Sequence, residues 1–280
     1  MAVDRASWSF RLLAAILIFA PLIRGGVLPL ALIVLELASI VLLISLFTRG
    51  QRDLTLTKRE LAAVVGVILV PLLYLIPFPD VIAGLFPGRD VYREALLLAD
   101  SQAAQGFQAL SVFSIKTEYG WYVLLLPLAV YLATRALETE LLRKLIILLL
   151  AVVGFQAFLG LLQFGAGEGA VYLGMDNANK NSAVGTYVSR NNYAGLLEMV
   201  LPVSLALFVA TLGSHRAAKK GKQTWRQRLV FASTLQGHKA FIFGALSVLI
   251  LLGIVFSRSR TGIGLTMLGI LIATFMFSNR

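Results

Sequence analysis

Long runs of apolar residues, separated by short polar segments, extend along almost the whole chain. A transmembrane helix needs about 20 such residues, and runs near that length with few charges predict one. The runs lie at 9–24, 27–47, 60–77, 119–134, 145–164, 193–213, 240–257 and 261–279. This pattern predicts an all-α fold, a polytopic membrane helix bundle of about eight transmembrane helices, in one integral-membrane domain over residues 1–280.

Composition supports the same class of protein. Hydrophobic residues make up 58% of the 280 residues, charged residues only 14%, and the mean hydropathy is +0.84. An average soluble domain carries about 25% charged residues and has too little interior for so much apolar surface. The first run has no small-residue cleavage site and a second run follows at once, which predicts a retained anchor and not a signal peptide.

The net charge of +11 is segregated into particular loops. With the N-terminus inside, 17 of the 25 lysines and arginines fall on inner segments, and the 214–239 loop alone holds seven of them. Cytoplasmic loops of membrane proteins carry this excess. Both termini are therefore expected inside, the partner surface is a lipid bilayer, and no nucleic acid is expected.

Two polar segments open directly into apolar runs on the expected outer side. They are Gly185–Gly195 and Ser257–Gly262. A helix N-terminus carries unpaired N–H groups and partial positive charge, which suits phosphate, and arginine adds forked donors. We expect Ser189 or Asn192 to cap one helix and Ser259 the other. The candidate substrate-binding residues are Arg190, Arg258, Arg260, Asn191 and Asn192. The alternative is that the arginines snorkel to lipid phosphates and the asparagines only cap.

Other polar residues give weaker signals. Glu198 lies six residues inside its run and is expected to face the bundle interior and pair with Arg190 or Arg258. Glu36 is expected to make a structural polar contact. The 165–192 stretch is polar, and its residues Asp176, Asn177, Asn179, Lys180 and Asn181 are expected to lie in a solvated loop, or else to touch sugar hydroxyls.

Two further observations concern the outer surface and metal chemistry. Two short apolar pieces, Val81–Phe86 and Ala109–Phe113, are expected to lie along the membrane interface. The absence of cysteine and the wide separation of His215 and His238 give no metal site.

The order of these motifs resembles the O-antigen ligase and polymerase superfamily of membrane glycosyltransferases. The resemblance covers roughly residues 105–280. It rests on the Gly-Leu-Leu-Gln-Phe run at 160–164, the Asn-Asn-Tyr-Ala opening within 185–194, Pro202 along the same helix, and the Ser-Arg-Ser-Arg-Thr-Gly turn at 257–262.

The resemblance implies transfer of a glycan from an undecaprenyl-diphosphate donor to an acceptor at the periplasmic face of the bacterial inner membrane. The acceptor would be lipid A core, a protein or a growing polysaccharide, with no metal or nucleotide cofactor. Family members use a histidine in a large periplasmic loop. His215 and His238 fall in the inner basic loop, so the catalytic residue is unknown. In the family that periplasmic loop follows the helix that here ends near Arg280, so either the chain is a fragment or it lacks part of this machinery. The 280-residue chain is expected to bind donor weakly without completing transfer.

Two other functions remain open from the sequence. A transporter or flippase usually has ionisable residues along a midplane pathway, whereas here Glu36 and Glu198 are the only acids well inside the runs. A non-catalytic membrane subunit that binds an anionic lipid would need only the arginine clusters.

Overall fold

The computed structural model describes residues 2–48, 56–99, 107–167, 181–217 and 234–278, and these residues are predominantly helical. The helices are α1 (Ala2–Leu22), α2 (Pro29–Thr48), α3 (Lys58–Leu75), α4 (Asp80–Ala83), α5 (Arg89–Ala99), α6 (Ser114–Arg135), α7 (Thr139–Ala166), α8 (Arg190–Ala217), α9 (Leu235–Phe256) and α10 (Arg260–Ser278). A 3₁₀ turn at Arg24–Gly26 separates α1 from α2, and two short strands are β1 (Pro77–Pro79) and β2 (Phe107–Ala109).

Each of the eight apolar runs forms a helix, namely α1, α2, α3, α6, α7, α8, α9 and α10. Four of them, α2, α7, α8 up to Leu212 and α9, are long and apolar enough to cross a membrane by length and composition. Two others, α1 and α10, contain shorter apolar stretches. The helical membrane architecture agrees with the sequence, while the number of crossings stays a prediction.

The 78–118 region departs from a purely helical pattern. Strands β1 and β2 pair antiparallel, with Phe78 opposite Gln108. Prolines at 77 and 79 explain the extended backbone, because proline disfavours the helical conformation in the residue before it and removes an N–H donor. Of the two apolar pieces expected at the interface, the first begins in α4 and the second starts at the last residue of β2.

The chain divides into two compact units. The first unit comprises Met1–Leu13 and Leu32–Thr139. Within it α3 packs against α6, and the indole N–H of Trp121 donates to the Ile68 carbonyl at 3.2 Å. A capping box formed by Thr57 and Glu60 starts α3, and Arg135 forms an ion pair with Glu60 at 3.1 Å. Polar contacts therefore fix one end of this helix pair.

The second unit comprises Ala14–Ala31 and Glu140–Arg280. Helix α8 packs against both α9 and α10, and a buried cluster joins α7, α8 and α9 through side chains such as Val153, Tyr193, Leu197, Ile250 and Ile254. Small residues permit close approach of these helices, as is typical of membrane bundles. This unit carries every substrate-binding residue expected from the sequence.

Candidate functional site

The N-termini of α8 and α10 are both capped by serine. The Ser189 hydroxyl accepts from the Asn191 N–H at 3.3 Å, and the Ser259 hydroxyl accepts from the Gly262 N–H at 3.2 Å. The expected cap at Ser259 is confirmed, and of the two alternatives at α8 the cap is Ser189. Capping leaves the remaining N–H groups of each first turn without helical acceptors, which suits an anion.

These two N-termini lie against each other. The Ser259 hydroxyl donates to the Asn191 side-chain oxygen at 2.9 Å. One turn further along, a Cβ added at Gly262 would lie 2.7 Å from the Cβ of Ala194, closer than real Cβ atoms come. We call this joint surface, formed by residues 189–194 and 257–262, the α8–α10 end. It adds the positive ends of two helix dipoles at one place.

The turn before α10 has an ordered backbone. Ser257 and Ser259 are buried, and the Ser257 hydroxyl donates to the Ile254 carbonyl at 2.6 Å and accepts from the Ser259 N–H at 3.2 Å. Arg258 adopts a left-handed φ of 55°. Its guanidinium lies 5.8 Å from the centre of the Phe164 ring, a cation–π distance.

The α8–α10 end brings the predicted site residues together. Arg190 is the first residue of α8 and Arg260 the first of α10, and Arg258 lies two residues earlier. All three arginines are exposed, as are Asn191 and Asn192. Across the described ranges, neither ion pair found involves these arginines. Their charge is therefore available to an incoming anion.

The segment 182–186 is buried, although it lies in the polar 165–192 stretch. Ser182 and Ala183 are 1% and 0% exposed, and the Ala183 N–H donates to the Phe256 carbonyl at 2.9 Å. The solvated part of the stretch therefore does not extend to these residues. Asn181 is exposed, and Asp176, Asn177, Asn179 and Lys180 lie outside the described residues.

Two buried glutamines of α7 hold this segment, and the sequence reasoning missed them as site residues. Gln156 is 0% exposed, accepts from the Thr186 N–H at 3.0 Å and donates to the Thr186 hydroxyl at 2.8 Å. Gln163 donates to the Gly185 carbonyl at 2.7 Å. The available signal was two glutamines seven residues apart in an apolar run, because that spacing places both on one helix face.

Two tyrosines near the site, Tyr187 and Tyr193, are packed against glycines. Tyr193 is fully buried between Gly160 of α7 and Gly253 of α9. The Tyr187 ring packs against Gly25, and burial raises the pKa of its phenol to about 12. The Tyr187 hydroxyl therefore stays protonated near neutral pH and is not a general base.

Glu198 does not form the expected ion pair. One of its carboxylate oxygens is buried without a hydrogen-bond partner, and no ion pair to Arg190 or Arg258 exists among the described residues. Within the described part of the chain, the buried Thr266 hydroxyl likewise has no hydrogen-bond partner. Glu198 lies four residues after Ala194, and Thr266 lies four residues after Gly262. Four residues are about one helical turn, so Glu198 and Thr266 lie at the same level along the two helices. The pairing fails because Arg190 begins the helix exposed, about two turns earlier.

An apolar groove follows further along the same two helices. It has a volume of about 500 Å³ and is lined by residues that include Pro202, Val209 and Ile270. Apart from Thr274, its lining residues are apolar. In both helices residue numbers increase from the capped N-terminus towards this groove. Helices α8 and α10 therefore run parallel.

Histidines do not contribute to the α8–α10 end. His238 is exposed near the start of α9, and its Nδ1 lies 2.8 Å from the Thr234 carbonyl. His215 belongs to the last turn of α8, at the opposite end from Arg190. Within the described ranges, no group of three or more His, Cys, Asp and Glu residues could hold a metal ion.

Comparison of the chain with protein-family models, curated proteins and solved structures finds no match. The resemblance to the O-antigen ligase and polymerase superfamily therefore rests on the motifs alone. Function has to be argued from the chemistry of the site.

Proposed function

We propose that the α8–α10 end binds the diphosphate of an undecaprenyl-linked glycan donor, and that the chain belongs to an O-antigen ligase-like or polymerase-like glycosyltransferase of the bacterial inner membrane. One observation carries the proposal: two capped helix N-termini lie in contact, each beginning with an exposed arginine. In this proposal all eight apolar helices cross the membrane, both termini are cytoplasmic, and the site faces the periplasm.

Diphosphate is the anion that this arrangement fits best. It carries several negative oxygens, which match two sets of helix N–H groups and the forked donors of Arg190 and Arg260. When a glycan leaves undecaprenyl diphosphate, negative charge develops on the departing diphosphate. Fixed donors at that position stabilise the transition state by about 3 kcal/mol each. The same residues would thus serve both binding and leaving-group departure.

The other predicted residues take different roles. The Asn191 side chain accepts from Ser259, so it positions α10 against α8 and is less free to contact substrate. Asn192 is exposed in the same first turn and is the better candidate for a glycan hydroxyl. Arg258, over the Phe164 ring, adds charge at the rim.

The apolar groove supports a lipid-linked donor over a soluble one. It lies between the same two helices, and its first lining residue, Pro202, is 12 positions beyond Arg190. At 1.5 Å per residue, that separation is about 18 Å along the helix. A polyprenyl chain whose diphosphate is bound at the arginines reaches the groove and buries apolar surface there.

The acceptor and the catalytic group stay open within this proposal. Lipid A core, a protein side chain and a growing polysaccharide are the acceptors that the resemblance implies. A non-catalytic subunit that binds an anionic lipid is the second candidate, because the same exposed arginines would serve it. The two functions differ in whether glycan is transferred.

The test is glycan transfer by the full-length protein, in membranes, from lipid-linked donor to acceptor. Arg190→Ala and Arg260→Ala should each lower transfer at least about tenfold, and lysine at either position should restore little, because an ammonium lacks the bidentate fork. Arg143→Ala is the matched control, since Arg143 is an exposed arginine in the same unit at the far end of α7.

Two results would count against the proposal. Near-normal transfer by both alanine variants would show that the anion site at the α8–α10 end is not needed for the reaction. Arginine-dependent binding of the donor lipid without any transfer in membranes that contain acceptor would favour the non-catalytic subunit.

A further inference from the structure

A second arginine environment lies in the other unit and has no role in the proposed function. Arg89 is 7% exposed, although arginine is almost never buried without partners. It is the first residue of the 11-residue helix α5 and follows Gly88, whose φ of +80° only glycine adopts readily. A buried cation thus lies at the positive end of a helix.

Contacts on one side fix the Arg89 guanidinium. Its Nη2 donates to the Ala109 carbonyl at the end of β2, and its Cζ lies 5.1 Å from the centre of the Tyr92 ring. The residue opposite Ala109 in the ribbon is Pro77, which has no N–H to offer. The guanidinium is therefore held against the last residue of strand β2, and Gln108 precedes that residue in the strand.

Two buried donors on these two elements lack an acceptor among the described residues. Nη1 of Arg89 and Nε2 of Gln108 are both buried, and neither has a hydrogen-bond partner in the described part of the chain. Buried polar atoms are nearly always satisfied, so two unsatisfied donors on neighbouring elements are informative. No carboxylate among the described residues forms an ion pair with Arg89.

We propose that Arg89, Gln108 and the N-terminus of α5 form a binding site for a phosphate-type oxyanion. The oxyanion supplies the acceptors that Nη1 and Nε2 lack, and it neutralises a buried guanidinium at a helix N-terminus. We call this site the Arg89 pocket. It shares no residue with the α8–α10 end and stands whether or not the chain transfers glycans.

The surroundings favour the phosphate of a lipid headgroup as the source of that anion. Val81, Leu85 and Phe107, on or beside the elements that form the pocket, are 83%, 80% and 72% exposed. Exposed apolar side chains around a cationic site are typical of segments that lie in the membrane interface. A free phosphate offers the same oxygens without using this apolar rim.

The experiment uses the purified full chain in detergent, with dioleoyl phosphatidate as the probe and native mass spectrometry to count bound lipid. Arg89→Gln removes the cation. Gln108→Glu adds a carboxylate one residue before the Ala109 carbonyl that Arg89 contacts, where its negative charge should compete with the oxyanion for the guanidinium. Each should weaken one phosphatidate site at least about tenfold, so that one lipid per chain is lost. Arg93→Gln is the control, because Arg93 is exposed on the same helix and loses the same charge.

The remaining arms identify the source of the anion and guard against misfolding. Displacement of the lipid by millimolar inorganic phosphate would assign a free phosphate, and retention would assign a lipid headgroup. If size-exclusion chromatography or circular dichroism shows that Arg89→Gln is misfolded, phosphatidate binding by Gln108→Glu tests the proposal instead. Unchanged phosphatidate binding in a folded Gln108→Glu variant would overturn the proposal.

Discussion

The α8–α10 end and the Arg89 pocket use arginine in opposite ways. At the α8–α10 end three arginines are exposed, while Ser257 and Ser259 are hydrogen-bonded to nearby backbone groups, and Ser259 also to the Asn191 side chain. In the Arg89 pocket one arginine is buried, and two donors around it have no partner among the described residues. At the α8–α10 end the backbone is held in place and the arginine side chains extend into solvent. In the Arg89 pocket the arginine side chain itself is held in place.

This difference has consequences for how each site binds an anion. Exposed arginines lose rotamer freedom when a ligand orders them, and their attraction is screened by salt. A buried guanidinium has already lost that freedom, and its field is screened less. The α8–α10 end should therefore accept bulky, highly charged ligands, and the Arg89 pocket should select a single phosphate group.

The largest expected effect concerns which side of the membrane the two anion sites face. The charge pattern predicts that both sites face outward and that the start of α9 faces inward. The chain has no cysteine, so single cysteines are clean reporters. Val188→Cys and Asp90→Cys should react with an impermeant thiol reagent in intact cells, and Gln236→Cys should not, all three positions being exposed. Labelling of Gln236→Cys before lysis would reverse the orientation.

The next effect tests whether the packing of α7 against α8 maintains the α8–α10 end. A Cβ at Gly160 would lie 2.7 Å from Cζ of the buried Tyr193, with no room to move. Gly160→Ala should lower the free energy of unfolding by about 3 kcal/mol. On the same helix, no atom of the described residues lies within 4 Å of a Cβ added at Gly165, so Gly165→Ala should be neutral or slightly stabilising. Equal thermal stability of the two variants would contradict this packing.

Salt should separate the two sites. Raising sodium chloride from about 0.1 to 1 M shortens the screening length from about 10 to 3 Å. Undecaprenyl diphosphate binding at the exposed arginines should fall about tenfold, and phosphatidate binding in the Arg89 pocket about twofold. Equal loss at both sites in equilibrium binding measurements would mean that the contrast in burial has no energetic consequence.

A smaller effect is expected from loosening the α8–α10 contact. Gly262→Ala forces its Cβ against Ala194 and should push the two N-termini apart, weakening diphosphate binding about fivefold. Gly264→Ala is the control, because nothing lies within 4 Å of its added Cβ. If the two variants bind equally, the contact between the helix ends does not prepare the site.

The sequence predicted the helices well because the apolar runs are long and the lipid environment leaves few alternatives. All eight runs form helices. The Ser259 cap and the arginines at the starts of α8 and α10 could be predicted because each depends only on neighbouring residues in the sequence. The number of runs that cross the membrane depends on the surrounding lipid and is not fixed by the pattern.

Long-range features could not be predicted in the same way. The contacts of Gln156 and Gln163 with residues 185 and 186, and the burial of 182–186, depend on pairing across 22 to 30 residues. The two-stranded sheet that Arg89 contacts joins residues 77–79 to residues 107–109, which are distant in the sequence. Glu198 was expected to pair because a buried acid usually does, yet the helix register places Thr266 opposite it and not an arginine.

The most direct test of an anion site at the α8–α10 end is equilibrium binding of undecaprenyl diphosphate and undecaprenol to the purified full chain. The diphosphate lipid should bind at least about tenfold more tightly. An Arg190→Ala, Arg260→Ala double variant should lose this preference, while Arg143→Ala should keep it. Equal binding of the two lipids, or a preference that survives in the double variant, would contradict an anion site at the α8–α10 end.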